Sequence, residues 1–161
     1  MGLNKRILIK KIIATLAAEL EVYFKAAHAA RAEATHEQSR AESKYDTRGL
    51  EASYLARGQS KQAAEIESSI AAFEKLETRT LKQGEPIDVG AFVLLGNKSG
   101  QNAYFIGPKA GGTEVIHENR ELLVITPQSP LGSQLLGKKQ GDKLQLSIAG
   151  VRSEYDVVQV S

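Results

Sequence analysis

Apolar residues in the first half of the chain recur at alternating steps of four and three, a spacing that places them on one stripe of an α-helix. Two such stripes flank a polar stretch near residue 43. Paired from Ile13 with Phe73 to Ala34 with Ala52, the residue numbers of facing positions always add up to 86. A constant sum predicts two antiparallel helices joined by a turn near residue 43. The first stripe comprises Ile9, Ile13, Leu16, Leu20, Tyr23, Ala27, Ala30 and Ala34, and the second comprises Ala52, Ala56, Gln59, Ala63, Ile66, Ile70 and Phe73.

Residue size along these stripes predicts the shape of the hairpin. Isoleucine, leucine and phenylalanine lie near its base, whereas alanine dominates toward the turn, so the helices can approach closely there. The roughly 35 residues from Ile9 to the turn would span about 50 Å at 1.5 Å per residue. The pattern therefore indicates a thin rod with a polar tip, which could act as a probe. Dimerisation or the spacing of domains is the alternative use of such a coiled coil.

The second half of the chain has a different pattern, with short apolar runs separated by turns rich in glycine. All four prolines and eleven of the fourteen glycines follow Leu81. We therefore predict two domains, a helical hairpin over residues 1–81 and a small sheet over residues 82–161. The connections are short, which favours mostly antiparallel pairing. The predicted strands are residues 91–95, 103–106, 114–117, 122–126, 143–148 and 154–160.

One short helix is predicted between the fourth and fifth of these strands. Ser129 suits the N-cap, Pro130 the first helical position, and Gly137 the position after the C-cap. The chain is therefore expected to be an α+β protein, with an N-terminal antiparallel helical hairpin and a C-terminal antiparallel sheet that carries one short helix.

Composition narrows the classes of function. The 161 residues carry a formal net charge of +2, so no polybasic nucleic-acid surface is expected. The absence of cysteine excludes disulfides and thiolate metal sites, and no apolar run reaches the ~18 residues of a membrane helix. We expect a cytoplasmic, monomeric protein without a membrane contact, a stable metal or a tightly bound cofactor. No nucleophile–base pair is apparent, and His117 has no evident partner.

The segment around the short helix resembles a known signature. Thr126 to Gly132, followed by Leu135-Leu136-Gly137-Lys138-Lys139 and Gly141-Asp142, is similar to the C-terminal signature of the bacterial GreA/GreB transcription elongation factors. Residues 41–45 resemble the tip of the coiled coil in that family. The order of hairpin and sheet and the total length also match, so the resemblance covers nearly the whole chain.

The resemblance implies a fold, a partner and a mode of action. The C-terminal domain would be FKBP-like and would dock on the rim of the secondary channel of bacterial RNA polymerase. The coiled coil would enter the channel, where an acidic tip residue helps to hold a transient Mg²⁺ near the 3′ end of the nascent RNA. The polymerase itself would then cleave backtracked RNA, so the factor is an accessory and not an enzyme. The implied polymerase-binding residues are Ser129, Pro130, Leu131, Gly137, Lys138, Lys139 and Asp142.

The tip departs from the family pattern at one position. Glu42 is the candidate tip acid that would assist the polymerase Mg²⁺, but Ser39 stands where the family has an aspartate. Glu37, Ser39, Ser43 and Asp46 complete the expected tip. Because one carboxylate holds Mg²⁺ poorly, a regulator that occupies the channel without stimulating cleavage is a second hypothesis. A stand-alone binding module, or a prolyl isomerase built on the sheet, is a third.

Overall fold

The computed structural model describes residues 4–35, 57–77, 81–82, 84–148 and 150–161. Within these residues the chain is an α+β protein, as predicted, with two long helices, a six-stranded sheet and one short helix. The elements, numbered here in chain order, are α1 (Lys5–Thr35), α2 (Arg57–Glu74), β1 (Phe92–Asn97), β2 (Gly100–Ile106), β3 (Glu114–His117), β4 (Arg120–Ile125), α3 (Pro130–Leu135), β5 (Lys143–Ile148) and β6 (Val151–Val160).

Helix α1 begins where its sequence supplies a cap. The side-chain oxygen of Asn4 accepts a hydrogen bond from the backbone N–H of Ile7 at 3.2 Å, which satisfies one of the free donors of the first turn. Neither glycine nor proline interrupts the 31 residues that follow. The predicted turn near residue 43 lies outside the described residues.

The two long helices are antiparallel, as the constant sum predicts. Leu20, Phe24 and Ala27 of α1 form a buried cluster with Ala63 of α2. Earlier α1 residues share a different cluster with Phe73, so higher numbers on α1 face lower numbers on α2. The side chains of Tyr23 and Gln62 also hydrogen-bond across the hairpin.

The buried surface of α1 is wider than the predicted stripe. Leu8, Ile12 and Phe24 are buried as well, although the heptad spacing excludes them. Leu8 and Ile12 pack in the cluster that includes the sheet, because the bases of both long helices pack against the sheet. On α2 the predicted stripe position Gln59 is exposed.

The sheet has the strand order β3-β4-β2-β1-β6-β5. Four of its five pairings are antiparallel, which confirms the mostly antiparallel prediction, while β2 and β4 run parallel and make the sheet mixed. The reason is the loop 107–113, which carries the chain past the position of β4 to the edge of the sheet. Strand β3 then forms there, and β4 returns between it and β2.

Alternate residues of the sheet contribute to two separate cores. Phe92 and Leu94 face the base of the helical hairpin, whereas Val93 and Leu95 face α3. Leu81, at the end of the predicted hairpin domain, is buried in the α3-side core. The boundary between residues 81 and 82 stays a prediction, and the described helices and the sheet share one of the two cores.

Candidate functional site

The candidate residues fall into two groups, one at the predicted tip and one around α3. All five tip residues lie outside the described residues, so their arrangement stays a prediction; they are Glu37, Ser39, Glu42, Ser43 and Asp46. The geometry below therefore concerns the second group, which we call the α3 segment and define as residues 126–142.

The start of the α3 segment is held by Ser129. Its hydroxyl donates a hydrogen bond to the carbonyl oxygen of Thr126 at 2.7 Å and accepts one from the N–H of Gly132 at 3.0 Å. Pro130 occupies the first turn, where a missing N–H costs nothing. The predicted N-cap and proline are both confirmed. In this structure the Ser129 hydroxyl is therefore used to build the helix end.

Gly132 brings α3 against the end of β4. A Cβ atom at this position would lie 1.9 Å from the carbonyl oxygen of Thr126 and 2.8 Å from the Ser129 hydroxyl oxygen. No side chain fits within those distances, so glycine is required by close packing alone. The helix can consequently begin at the end of the strand with only a short connection.

The end of α3 is anchored to the chain that enters the sheet. Leu135 is fully buried, and Leu136 forms the C-cap. Gly137 adopts a φ of 85°, the left-handed conformation predicted for the residue after a helix. Its N–H donates to the carbonyl oxygen of Ile87 at 3.0 Å, and the Ile87 N–H donates to the carbonyl oxygen of Lys138 at 2.8 Å. This pair of bonds fixes the main chain at the two lysines.

A tight turn follows and joins the α3 segment to β6. The carboxylate of Asp142 accepts a hydrogen bond from the N–H of Lys139 at 2.8 Å, and the Asp142 N–H donates back to the carbonyl oxygen of Lys139 at 3.0 Å. The Gly141 N–H donates to the carbonyl oxygen of Val157 at 2.8 Å, and the Val157 N–H donates to the backbone carbonyl oxygen of Asp142, also at 2.8 Å. Asp142 therefore has a structural role in the turn.

The candidate residues of the α3 segment thus fall into two groups, those that hold its backbone in place and those whose side chains are exposed. Ser129, Gly137 and Asp142 are committed to backbone geometry. Pro130 and Lys139 are exposed, while Leu131 and Lys138 are partly exposed beside the α3-side core. Besides the three residues committed to the backbone, the predicted binding residues whose side chains reach the surface of this segment are therefore one proline, one leucine and two lysines.

Two lysines near the hairpin base form long-range hydrogen bonds that the sequence did not predict. The Lys109 side chain, on the β2–β3 loop, donates to the hydroxyl of Ser68 on α2 at 2.7 Å. Lys11 of α1 donates to the carbonyl oxygen of Ile116 at 3.2 Å. Each bond joins the hairpin to the sheet, across 41 and 105 residues of chain respectively, and no local pattern in the sequence indicates such pairings.

His117 is buried with 4 % relative exposure, and neither ring nitrogen has a hydrogen-bond partner. Burial lowers the pKa of His117, the charge of Lys11 lowers it further, and Glu118 opposes both. These surroundings favour the neutral form of the ring. The alternation of Val115 and His117 on one face of β3 is the signal that could have predicted its burial.

The aromatic residues of the sheet do not line one pocket. Phe92 and Phe105 are buried on the face that packs against the hairpin. Tyr104 and Tyr155 lie on the opposite face, where burial raises the pKa of Tyr104 and Tyr155 adds to that rise. An aromatic prolyl-isomerase pocket built from these four residues is not present among the described residues.

The described residues hold neither a cluster of metal ligands nor a helix suited to a membrane. No group of three or more histidine, aspartate or glutamate side chains lies close enough together to hold a metal ion within those residues. None of the described helices combines the length and apolar character that crossing a membrane requires.

The described fold is a helical hairpin mounted on one face of a mixed sheet. No family model matches the chain, and no curated protein matches it significantly. Among solved structures it is similar to GreA factor homolog 1 (Gfh1) of Thermus thermophilus, with 25% identity over 92% of this chain and 94% of that chain and a TM-score of 0.39. Gfh1 of Thermus aquaticus gives 25% identity over 94% of both chains and a TM-score of 0.39.

A third similar structure is the prokaryotic transcription elongation factor GreA/GreB from Nitrosomonas europaea. It is 21% identical over 63% of this chain and 84% of that chain, with a TM-score of 0.37. These similar structures are named for the same family of factors that the sequence resembles.

Proposed function

We propose that this protein is an accessory factor of bacterial RNA polymerase, which docks through the α3 segment on the rim of the secondary channel and inserts its helical hairpin. The observation that carries this function is the reach of α1. Its last residue in the core shared with the sheet is Leu16, and the next buried residues pack only with the hairpin's own side chains. From Leu16 to Thr35 the helix rises about 28 Å, long enough to enter a channel.

A probe of this kind needs a firm mount, and the hairpin base has one. Leu8, Ile12 and Phe73 are each 1% exposed or less in the core shared with the sheet. Lys11 and Lys109 add one hydrogen bond each from opposite sides, to β3 and to α2. Side-chain burial sets the position of the hairpin, and these directional bonds favour one orientation.

Docking is assigned to the exposed part of the α3 segment. Pro130 and Leu131 offer an apolar contact, and Lys138 and Lys139 offer two ammonium groups to carboxylates of a partner. The surrounding backbone is tied by the hydrogen bonds of Ser129, Ile87 and Asp142, so little conformational entropy would be lost on binding. In this proposal the sheet acts as an FKBP-like docking domain.

Chemistry at the tip is assigned to Glu42. Hydrolysis of a phosphodiester by two metal ions requires a second Mg²⁺, and an added carboxylate stabilises that weakly held ion and its attacking water. Glu42 would supply the carboxylate, while the polymerase supplies the other ligands and the RNA 3′ end. Magnesium would be shared transiently and not bound by the factor alone.

A transcript-cleavage assay on backtracked elongation complexes tests this function. We expect the wild-type protein to bind core polymerase and to accelerate cleavage, and Glu42→Ala to bind equally but to lose the acceleration. Glu21→Ala removes an exposed acid from the side of α1 and serves as the matched control, with activity unchanged. Failure of the protein to bind core polymerase would rule the function out.

A non-cleaving regulator is the second candidate, and Ser39 is the observation that favours it. With serine where the family has aspartate, the tip lacks the second carboxylate expected to hold the ion. Binding that inhibits RNA synthesis without cleavage, and that Ser39→Asp leaves unchanged, would support this version. A gain of cleavage in Ser39→Asp would instead show that the hairpin tip reaches the catalytic Mg²⁺ of the polymerase and that the wild-type tip lacks only the second carboxylate.

A further inference from the structure

Within the part of the chain that the structure describes, strand β3 pairs only with β4 and forms an open edge of the sheet. Glu118 and Asn119 connect the two strands with φ values of 52° and 62°, the conformation of a two-residue type I′ turn. Such a turn makes His117 and Arg120 a hydrogen-bonded pair. Because hydrogen-bonded and non-hydrogen-bonded pairs alternate in an antiparallel ladder, the next hydrogen-bonded pair is Val115 with Leu122. Ile116 therefore directs its N–H and C=O away from β4, and so does Glu114.

A hydrogen bond from α1 is consistent with an outward-pointing carbonyl group at Ile116. The Ile116 carbonyl oxygen accepts the hydrogen bond from the Lys11 ammonium group at 3.2 Å. Lysine side chains are a common means of protecting a sheet edge. Here Lys11 covers one of four outward main-chain groups, and the contact is a single exposed hydrogen bond that a competing strand can replace.

A groove runs between this edge and α1. It encloses about 550 Å³, with Ala14 and Thr15 on the helix side and Val115 and Ile116 on the strand side. Ile116 is 65% exposed, which leaves a large apolar side chain in water at the mouth of the groove. A helix beside a free strand edge is the arrangement in which sheets accept an added strand.

The charged residues of the groove indicate what charge a bound segment should carry. Glu114 and Glu121 are both among the residues that line it, and Lys11, the cation among these described lining residues, is hydrogen-bonded to Ile116. We infer that this groove binds an extended segment of a protein partner, which adds as a strand to β3 and places an arginine or lysine against Glu114 and Glu121. This inference does not depend on the proposed function. The turn 139–142 lies beside β6 near the other edge of the sheet, so both surfaces can be occupied together.

Peptide binding tests the inference directly. The probe is a fluorescein-labelled peptide, Gly-Ser-Val-Arg-Val-Arg-Val-Thr-Gly, and its control carries glutamate in place of both arginines. Fluorescence anisotropy should show saturable binding of the arginine peptide and at least tenfold weaker binding of the glutamate peptide. Amide NMR signals of Glu114 and Ile116 should shift most on titration.

Three variants locate the site. Ile116→Pro removes the outward N–H without touching the ladder to β4, and should abolish binding. Glu114→Lys with Glu121→Lys should reverse the preference between the two peptides, whereas the matched control Glu74→Lys on α2 should not. Lys11→Ala frees the Ile116 carbonyl and should tighten binding on the order of fivefold, the gain from one hydrogen bond.

Several outcomes would overturn the inference. Neither peptide binding, or binding that persists in both Ile116→Pro and the double charge reversal, would exclude an added strand at β3. Dimerisation of the wild-type protein that Ile116→Pro abolishes would assign the edge to a second copy and not to a partner. If circular dichroism shows that Ile116→Pro is unfolded, the double charge reversal on the exposed surface decides alone.

Discussion

The two faces of the sheet are covered in different ways. On one face, the hairpin base is held by large buried side chains such as Leu8, Ile12 and Phe73. On the other face, six-residue α3 depends on main-chain geometry at Gly132, Gly137 and Ile87. The first face should be sensitive to the removal of atoms, and the second to their addition.

The largest loss of stability is expected from a deletion on the hairpin face. Phe73 is 1% exposed and its ring centroid lies 6.4 Å from that of Phe105. Phe73→Ala should lower the free energy of unfolding by about 3–5 kcal/mol, because it removes an aromatic ring and leaves a cavity. Chemical denaturation measures the change. Val22→Ala, at a residue 66% exposed on α1, is the control and should change stability by less than about 0.5 kcal/mol.

An addition on the α3 face should have a comparable but smaller effect. Gly132→Ala places a methyl group on the Thr126 carbonyl, so α3 must move away from β4, at a cost of about 3 kcal/mol. Gly58→Ala is the matched substitution in α2, where a Cβ meets nothing within 4 Å. It should stabilise the protein by about 0.5–1 kcal/mol. Equal effects of the two substitutions would contradict the contrast between the faces.

The N-cap of α3 provides a smaller test on the same face. Ser129→Ala removes both hydrogen bonds of the hydroxyl and should cost about 1 kcal/mol. Ser129→Asp restores an acceptor for the Gly132 N–H and should recover part of the loss. Polymerase binding by the two variants distinguishes a structural role of Ser129 from a direct contact with the polymerase. If the role is purely structural, the affinity of each variant should change in parallel with its stability.

His117 gives the hairpin face a pH dependence on the acid side of neutrality. Its pKa in the folded protein is lowered from 6.5, so the unfolded chain binds the proton more readily. Stability is then complete above about pH 6.5 and falls as the pH drops toward the folded pKa. Urea denaturation between pH 7.5 and pH 5 should show a steeper decline in wild type than in His117→Leu. Parallel profiles would mean that the ring is not held neutral by its surroundings.

Local patterns in the sequence predicted the elements well. The cap at Ser129, the proline at Pro130 and the left-handed glycine at Gly137 are all confirmed, since each depends on residues within one or two turns. The antiparallel helix pair is also confirmed over the described part, because one repeat spacing determines which residues can face each other. The tip residues around Glu42 stay predictions.

Long-range contacts are where the sequence was insufficient. Nothing in the heptad spacing indicates that Leu8 and Ile12 face a sheet eighty residues further along the chain, or that Lys11 reaches Ile116. The parallel pairing of β2 with β4 likewise depends on the path of the loop 107–113 across the sheet.

Periodicity, capping and turn chemistry act between neighbours in the chain, and for that reason they could be read directly from the residues of this protein. The close contact at Gly132, the burial of His117 without a hydrogen-bond partner and the groove beside β3 arise only when separate segments of the chain meet. Their energies depend on distances between atoms that the order of residues does not specify, so they emerged from the folded arrangement alone.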